Sequence, residues 1–255
     1  MTILERFSLS GRTALVTGGG TGIGRALAVA LAEAGAAVAV AGRTRTTLDA
    51  ALNDIRAAGQ EGLAVVADVT QADQVERMIG AVVDRWGRLD IAINNAGVNN
   101  WVEAVDMSET DWDWAFDTNV KGVFLCAQAE ARAMIPTGYG KIINIASGTV
   151  FKGTPMMLHY VSSKGAMVAF TRALAREVGD DGINVNAIAP GLTMSEKVAA
   201  DDQWRTIQAG NTASRAIKRE EVPEDLLGAL IYFSSSDSDF VTGQTLVVDG
   251  GSAMH

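Results

Sequence analysis

Thr17-Gly18-Gly19-Gly20-Thr21-Gly22-Ile23-Gly24 is the stretch of sequence that decides the fold. It follows a short β-branched and apolar run at residues 13–17 and opens a segment rich in Ala and Leu. Glycines allow a tight turn and let the backbone approach a pyrophosphate, and the amino end of the next helix favours negative charge. The stretch therefore predicts a strand, a phosphate-binding turn and a helix in succession. The alternative is a glycine-rich turn without a ligand.

Strand-like and helix-like segments alternate along the rest of the chain. Short apolar or β-branched runs predict seven strands, at residues 13–17, 38–41, 63–67, 91–94, 141–146, 184–189 and 245–248. Segments with helical periodicity occupy residues 24–34, 46–58, 72–86, 111–134, 159–178 and 222–233. This order predicts a parallel sheet covered on both faces, with functional residues in the loops that follow the strands.

Length and composition indicate one compact globular protein. The 255 residues are 48% hydrophobic, which is enough for a substantial core, and no composition break marks a linker. The net charge of -9 disfavours binding to nucleic acid or to an anionic membrane through a broad basic surface. One cysteine, Cys126, cannot form an intrachain disulfide, and no apolar run has the length of a signal peptide or a membrane span. We expect a soluble, cytoplasmic protein.

Tyr160 and Lys164 form a candidate proton-transfer pair. They are four residues apart, so on a helix they share a face. A phenol has a pKa of about 10 in water and needs a fixed positive charge nearby to act as an acid or base near neutrality. Lys164 supplies that charge, and Ser147 could hold a substrate oxygen near the phenol. The alternative is an ordinary helical pair with no chemical role.

The residues after the second predicted strand bear on the choice of a dinucleotide. The sequence reads Ala41-Gly42-Arg43-Thr44-Arg45, without the acidic residue that would bind an adenosine ribose. The Arg43 guanidinium can pair with a 2'-phosphate and stack on adenine, so we expect NADP(H) to be favoured over NAD(H). Thr21, however, leaves no basic side chain within the glycine turn. A solvated surface arginine is the alternative.

Further motifs follow the predicted strands in order. Asn94-Asn95-Ala96-Gly97 follows the fourth strand, Asn119 lies in the long fourth helix, and Ser147 follows the fifth strand. With the glycine turn and the Tyr160/Lys164 pair, the sequence resembles the classical short-chain dehydrogenases/reductases. The resemblance implies one domain over residues 1–255, with an α/β, Rossmann-type doubly wound sheet of seven parallel strands and helices on both faces. It also implies an NAD(P)-dependent alcohol dehydrogenase or carbonyl reductase.

The resemblance assigns a role to each catalytic residue. Tyr160 would be the general acid in carbonyl reduction and the base in alcohol oxidation. Lys164 would lower the pKa of Tyr160 and bind the nicotinamide ribose. Ser147 would orient the substrate oxygen, and Asn119 would hold a water that links Lys164 to solvent. Hydride passes directly between cofactor and substrate, so no metal is needed.

The resemblance also implies the cofactor contacts. Asp68 and Val69 would contact adenine, and the loop after the fourth strand would contact the adenosine ribose. The full predicted cofactor set is Gly18, Thr21, Gly22, Ile23, Gly24, Arg43, Asp68, Val69, Asn95, Ala96, Gly97, Tyr160, Lys164, Pro190, Gly191, Leu192, Thr193 and Ser195.

Residues outside the shared motifs should shape the substrate pocket. Residues 192–219 form the longest stretch without strand character and are expected to be a substrate lid. The candidate pocket residues are Trp101, Thr149, Met156, Met157, Met194 and Trp204. Because this set is largely apolar, we expect a small-molecule substrate, a medium-sized hydrophobic or aromatic ketone or alcohol. Each Met or Trp taken alone could equally be packing.

Three other functions remain open. A 3-oxoacyl-[acyl-carrier-protein] reductase is disfavoured because Gly179-Asp180-Asp181-Gly182 places carboxylates where such relatives usually present basic residues to an acidic carrier. Sugar and polyol dehydrogenases fit the scaffold but would normally have more polar groups in the lid. A non-catalytic nucleotide-binding scaffold is disfavoured by the intact catalytic set. The resemblance further implies a homotetramer, formed through helices 111–134 and 159–178.

Overall fold

Seven parallel strands form one sheet in the computed structural model. Residues 2–254 are described, except for the side chain of Lys197, so Met1 and His255 of the predicted domain lie outside the described residues. The strand order is β3-β2-β1-β4-β5-β6-β7. The strands are β1 (Thr13–Thr17), β2 (Ala37–Gly42), β3 (Gly62–Val66), β4 (Ile91–Asn94), β5 (Gly140–Ile145), β6 (Ile183–Pro190) and β7 (Thr245–Val248). All seven predicted strands are confirmed.

Helices connect the strands and cover the sheet. They are α1 (Ile3–Arg6), α2 (Gly22–Glu33), α3 (Arg45–Ala57), α4 (Ala72–Trp86), α5 (Glu109–Phe116), α6 (Gly122–Met134), α7 (Thr149–Lys152), α8 (Leu158–Glu177), α9 (Glu196–Ala199), α10 (Asp202–Ser214) and α11 (Leu227–Ser234). Short 3₁₀ turns occur at Ile135–Thr137, Gly179–Asp181, Pro223–Leu226 and Ser236–Ser238. Among residues 2–254, no helix is long and apolar enough to cross a membrane.

Two buried cores lie on opposite faces of the sheet. Side chains alternate along a strand, so Val16 of β1 joins one core and Leu15 joins the other. The first core holds residues of α2, α3 and α11, including Leu27, which is fully buried. The second holds residues of α4 and α6, such as Met78. Helices therefore cover both faces, which confirms the doubly wound fold.

The strand order places the ligand crevice. From β1 the chain winds outward through β2 and β3, then returns to β4 on the other side of β1. β1 pairs in parallel with β2, with Thr13 opposite Ala37, and with β4, with Ala14 opposite Ile91. A crevice opens at the carboxyl ends of the strands where the order reverses, and ligands of doubly wound proteins bind there. The glycine turn lies at this point.

One predicted helix is interrupted. The periodicity of residues 111–134 predicted a continuous helix, but the structure has α5 and α6 joined by a π-helical turn, Asp117–Lys121. Asn119 lies in this turn and is fully buried. The wider turn is compatible with the polar contacts of the Asn119 amide described below, and π-helical turns frequently occur at functional sites.

Replacement of Leu27 by Ala should test the core beneath the glycine turn. The change removes buried methyl groups and leaves a cavity, so we expect the free energy of unfolding to fall by about 2–5 kcal/mol. Leu4→Ala is the matched control, because Leu4 is 80% exposed and its loss should change that energy by less than about 0.5 kcal/mol. Urea unfolding followed by circular dichroism measures both; equal effects would contradict the assignment of Leu27 to the core.

Candidate active site

The four predicted catalytic residues lie at the carboxyl edge of the sheet. Ser147 follows β5, Tyr160 and Lys164 are on α8, and Asn119 is in the π-helical turn between α5 and α6. Ser147, Tyr160 and Lys164 line a small cavity of about 170 Å³, together with residues of the loops after β4 and β6. Asn119 lies behind this cavity and contacts the loop after β4. The tertiary structure thus brings all four together.

Ser147 is held in place by its neighbour. Its hydroxyl oxygen accepts hydrogen bonds from the Thr149 hydroxyl at 2.9 Å and from the Thr149 backbone N–H at 3.2 Å. Burial raises the pKa of Tyr160, and a hydrogen bond with Ser147 opposes that rise. The phenol is therefore protonated at neutral pH, ready to donate to an oxygen beside Ser147.

Lys164 is buried beside Tyr160, whose pKa burial holds above its ordinary value, so a lowering of that pKa by Lys164 stays a prediction. Its ammonium donates to the backbone oxygen of Ile145 at 2.6 Å and lies 5.8 Å from the centre of the Tyr160 ring. Burial lowers the pKa of Lys164 to about 8. Because burial disfavours the charged form of both groups, the net pKa shift of the phenol is upward.

Asn119 fixes the loop after β4. Its side-chain oxygen accepts from the Val98 N–H at 2.8 Å, and its amide donates to the Val98 oxygen at 2.9 Å and to the Ser163 hydroxyl at 3.0 Å. Asn119 therefore bridges this loop to α8, one residue before Lys164. Gly97 permits the close approach, since a Cβ there would lie 3.2 Å from the Asn119 oxygen.

A groove of about 650 Å³ runs along the carboxyl ends of β1 to β4. The predicted cofactor residues that line it are Gly18, Thr21, Gly22, Ile23, Gly24, Arg43, Asp68, Val69, Asn95, Ala96, Gly97 and Ser195. Two glycines of the turn, Gly18 and Gly22, have positive φ angles of 64° and 54°, which favour glycine. A Cβ on Gly24 would lie 2.2 Å from the Gly18 oxygen, so the turn requires glycine there too.

This groove fits a nicotinamide dinucleotide. Thr21 lies directly before α2, and its side chain makes no capping hydrogen bond to the helix. Thr21 therefore leaves the first N–H groups of α2 open to a ligand in the groove. Such a helix end binds phosphate. The Asn95 amide donates to the Thr17 oxygen at 3.0 Å and holds the turn against β4. Arg43 is exposed at the adenosine end of the groove, and none of the side chains described in residues 2–254 pairs with it.

The remaining predicted cofactor residues lie where the groove meets the substrate side. Pro190 and Gly191 line the catalytic cavity, while Leu192 and Thr193 line a neighbouring cavity of about 190 Å³. Ile23 lines the groove and both cavities. The three spaces are therefore adjacent parts of one crevice.

The cavity of about 190 Å³ is the candidate substrate site, because Ser147 and Tyr160 line it. Of the predicted pocket residues, Trp101, Thr149, Met157 and Trp204 line it as well. Trp101 comes from the loop after β4 and Trp204 from α10. Their rings meet edge to face with centres 5.0 Å apart. This contact closes one wall of the cavity.

Two predicted pocket residues, Met156 and Met194, do not line this cavity. Met156 is 41% exposed, and its backbone oxygen accepts from the Val102 N–H at 2.9 Å. Met194 lines a separate groove beside Arg25, because its N–H bonds the Glu221 oxygen at 2.7 Å and turns the chain there. Backbone hydrogen bonds, which a list of apolar residues does not reveal, direct both side chains elsewhere.

The predicted set also omitted several residues that line the cavity, among them Lys152 and Asn211. Residues 192–219, predicted as a lid without strand character, contain α9 and α10. Trp204, Ile207 and Asn211 are spaced by three and four residues, so they share one face of α10. That spacing was the available signal for Asn211. No repeat spacing in the sequence pointed to Lys152, because α7 is a single turn and is too short to show a periodic pattern.

Comparison with known proteins gives the family. A sequence profile described as short chain dehydrogenase matches residues 12–206. Gluconate 5-dehydrogenase of Gluconobacter oxydans (strain 621H) is 40% identical over 97% of this chain and 96% of its own. A 3-oxoacyl-[acyl-carrier-protein] reductase of Synechocystis sp. (strain ATCC 27184 / PCC 6803 / Kazusa) is 35% identical, over 83% of this chain and 84% of its own.

A crystal structure gives the same result. A short-chain type dehydrogenase/reductase from Mycobacterium marinum is 39% identical, has a TM-score of 0.91 and covers 99% of both chains. The matched residues contain the glycine turn and the four predicted catalytic residues. The chain therefore belongs to the short-chain dehydrogenase/reductase family of oxidoreductases, which act on CH–OH groups with a nicotinamide cofactor.

Proposed function

We propose that this chain interconverts a secondary alcohol and a ketone, or an alcohol and an aldehyde, with Tyr160 as the acid and base. One observation carries the proposal: Ser147 and Tyr160 line both the catalytic cavity next to the cofactor groove and the substrate cavity. A substrate oxygen between these two hydroxyls is within reach of a proton donor. Geometry of this kind is what general acid–base catalysis requires.

The residues act in a defined order during reduction. Ser147 donates a hydrogen bond to the substrate carbonyl oxygen, and Tyr160 transfers its proton to that oxygen as the alcohol forms. The nicotinamide cofactor, when bound, exchanges a hydride with the substrate carbon. The positive charge of Lys164 stabilises the phenolate that this transfer leaves at Tyr160, before a proton from solvent restores the phenol. Oxidation runs through the same groups in reverse.

NADP(H) is the proposed cofactor. The support is Arg43, an exposed and unpaired cation among the described residues that line the adenosine end of the groove. A guanidinium pairs with a phosphate through two parallel hydrogen bonds, so a 2'-phosphate would gain a partner there. Asp68 also lines the groove, but its carboxylate accepts from the Thr70 hydroxyl at 2.8 Å and from the Thr70 N–H at 2.9 Å.

The proposed substrate has a medium-sized carbon skeleton. Trp101, Met157 and Trp204 offer apolar surface, and α9 with α10 would act as the lid. Sugar acids or polyols are a second candidate. They are supported by the polar side chains Asn99, Thr149, Thr154 and Asn211 in the same cavity and by the similarity to gluconate 5-dehydrogenase.

A 3-oxoacyl-[acyl-carrier-protein] substrate is the third candidate. The similarity to such a reductase favours it. Charge disfavours it, because Asp180 is exposed at the turn after α8 and its carboxylate would repel an acidic carrier.

We also propose that the chain forms a homotetramer in the cytoplasm. Trp112 on α5 and Phe124 on α6 are 37% and 44% exposed, and large apolar side chains exposed on adjacent helices are typical of interfaces. Cys126 is a free, buried thiol, which fits a reducing compartment.

Tyr160→Phe tests the proton route. The variant lacks the hydroxyl, so we expect kcat to fall by about 10²- to 10⁴-fold, while NADPH binding, measured by fluorescence titration, stays close to wild type. Tyr139→Phe is the matched control, because Tyr139 stacks beside Arg12, away from the residues of the catalytic cavity, and its loss should leave kcat unchanged. Activity above a few per cent in Tyr160→Phe would refute the role of the phenol.

Arg43→Asp tests the cofactor preference. A carboxylate would repel a 2'-phosphate, so we expect the ratio of kcat/KM with NADP to kcat/KM with NAD to fall by about 10- to 100-fold. Arg45→Asp is the control, because Arg45 pairs with Asp49 on α3 and does not line the groove. An unchanged ratio in Arg43→Asp would contradict the proposal that Arg43 binds the 2'-phosphate of NADP.

Light scattering tests the assembly. We expect a mass four times the 26.7 kDa of one chain. Phe124→Asp should lower that mass by placing a charge at the proposed interface, whereas Val105→Asp, at a residue 89% exposed on a turn, should not. A monomer mass for the wild type would contradict the tetramer.

A further inference from the structure

The substrate cavity has one charged side chain in its lining. Lys152 lines it, and no Asp or Glu does so among the described residues. This is unusual in a chain whose net charge is -9. A cavity whose lining presents one cation and no carboxylate favours an anion.

The Lys152 ammonium has no carboxylate partner of its own. It donates to the Ser252 hydroxyl, and no ion pair joins it to the carboxylates described in residues 2–254. Asp249 and Glu221 act on it only at longer range. Both are engaged elsewhere: Asp249 accepts from the Ser252 N–H at 2.9 Å, and Glu221 accepts from the Thr193 hydroxyl at 2.8 Å. The positive charge is therefore available to a ligand.

The surroundings strengthen an interaction with an anion. Burial lowers the pKa of Lys152, which shows that part of its hydration is lost. Asp249 raises the pKa of Lys152 and Arg215 lowers it, so the two electrostatic effects partly cancel. An ammonium with less water around it binds an anion more strongly than one in bulk solvent. Lys152 is nevertheless an exposed residue, so the cation is only in part desolvated and a ligand can reach it.

Lys152 shares a short helix with Thr149, the residue that holds the Ser147 hydroxyl. It ends α7, and Thr149, which bonds the Ser147 hydroxyl at 2.9 Å, begins the same single turn. Both residues line the cavity. Residues three apart on a helix lie on one face, with backbones about 5 Å apart along the axis. Because Lys152 and Ser147 line the same cavity, one substrate could place an anionic group at Lys152 and its reacting oxygen at Ser147.

We propose that Lys152 determines specificity by receiving a carboxylate of the substrate, so that the chain acts on hydroxy acids and keto acids in preference to neutral alcohols and ketones. The inference rests on the proposed function, because it places the reacting oxygen between Ser147 and Tyr160. Trp101 and Trp204 contact the carbon skeleton between the reacting carbon and the carboxylate.

Matched acid and amide substrates test this role. The probes are gluconate with gluconamide, and 3-hydroxy-3-phenylpropanoate with its amide, each assayed with NADP and NAD. For the wild type we expect kcat/KM to be at least about tenfold higher for an acid than for its amide. Lys152→Gln should lose about tenfold or more on the acid, mainly through KM, and change the amide less than about threefold. Lys152→Arg keeps the charge and should retain most of the preference.

Lys218→Gln is the control, because Lys218 is exposed and does not line the cavity. This variant should leave kcat/KM unchanged for both the acid and the amide. Unchanged NADPH binding by Lys152→Gln shows that the variant is folded. Equal kcat/KM for acid and amide in the wild type, turnover of the amides without the acids, or an equal loss of both in Lys152→Gln overturns the role of Lys152. A wild type that binds NADPH but turns over no alcohol or ketone, these probes included, overturns the proposed function and Lys152's role with it.

Discussion

The hydrogen bonds between Asn95 and the end of β1 are the interaction on which the rest of the site depends. The Asn95 amide donates to the Thr17 oxygen, and the Thr17 hydroxyl accepts from the N–H groups of Asn95 and Ala96. These bonds join the two loops on either side of the point where the strand order reverses. A Cβ on Gly18 would lie 2.8 Å from the same amide, so the glycine turn and Asn95 require each other. The cofactor groove exists because these loops are held together.

The loop after β4 also fixes the position of α8, the helix that holds Tyr160 and Lys164. Two residues beyond Ala96, the backbone of Val98 bonds the Asn119 side chain, which in turn bonds Ser163 on α8. A path of buried and half-buried polar groups, continued through the backbone of residues 96–98, thus connects the phosphate-binding turn to the residue next to Lys164. Buried polar groups of this kind are costly unless paired, so a fully paired path permits one arrangement. The position of the reacting groups follows from it.

Specificity rests on different elements. The catalytic groups lie on the sheet edge and α8, whereas the substrate cavity is closed by α7, α10 and the loop after β4. The Trp101–Trp204 contact joins two of these elements across a long separation in sequence. Changes in their side chains can alter the ligand without moving Tyr160 or Ser147. This division explains how similar chains can carry the names of a sugar-acid dehydrogenase and an acyl-carrier reductase.

The sequence by itself determined the seven strands, each within about one residue, and it named four candidate catalytic residues, which the structure brings together. Buried strands are local apolar runs, and the motif spacings are local too, so both can be read along the chain. Only the tertiary structure decided that a π-helical turn interrupts the helix at Asn119 and that Met156 and Met194 are directed away from the cavity. The structure likewise decided that Lys152 is the one charged residue among the described side chains that line that cavity. It also decided that burial raises the pKa of Tyr160. Each of these depends on which surfaces meet across the fold, and desolvation and contact between distant segments have no signature in local spacing.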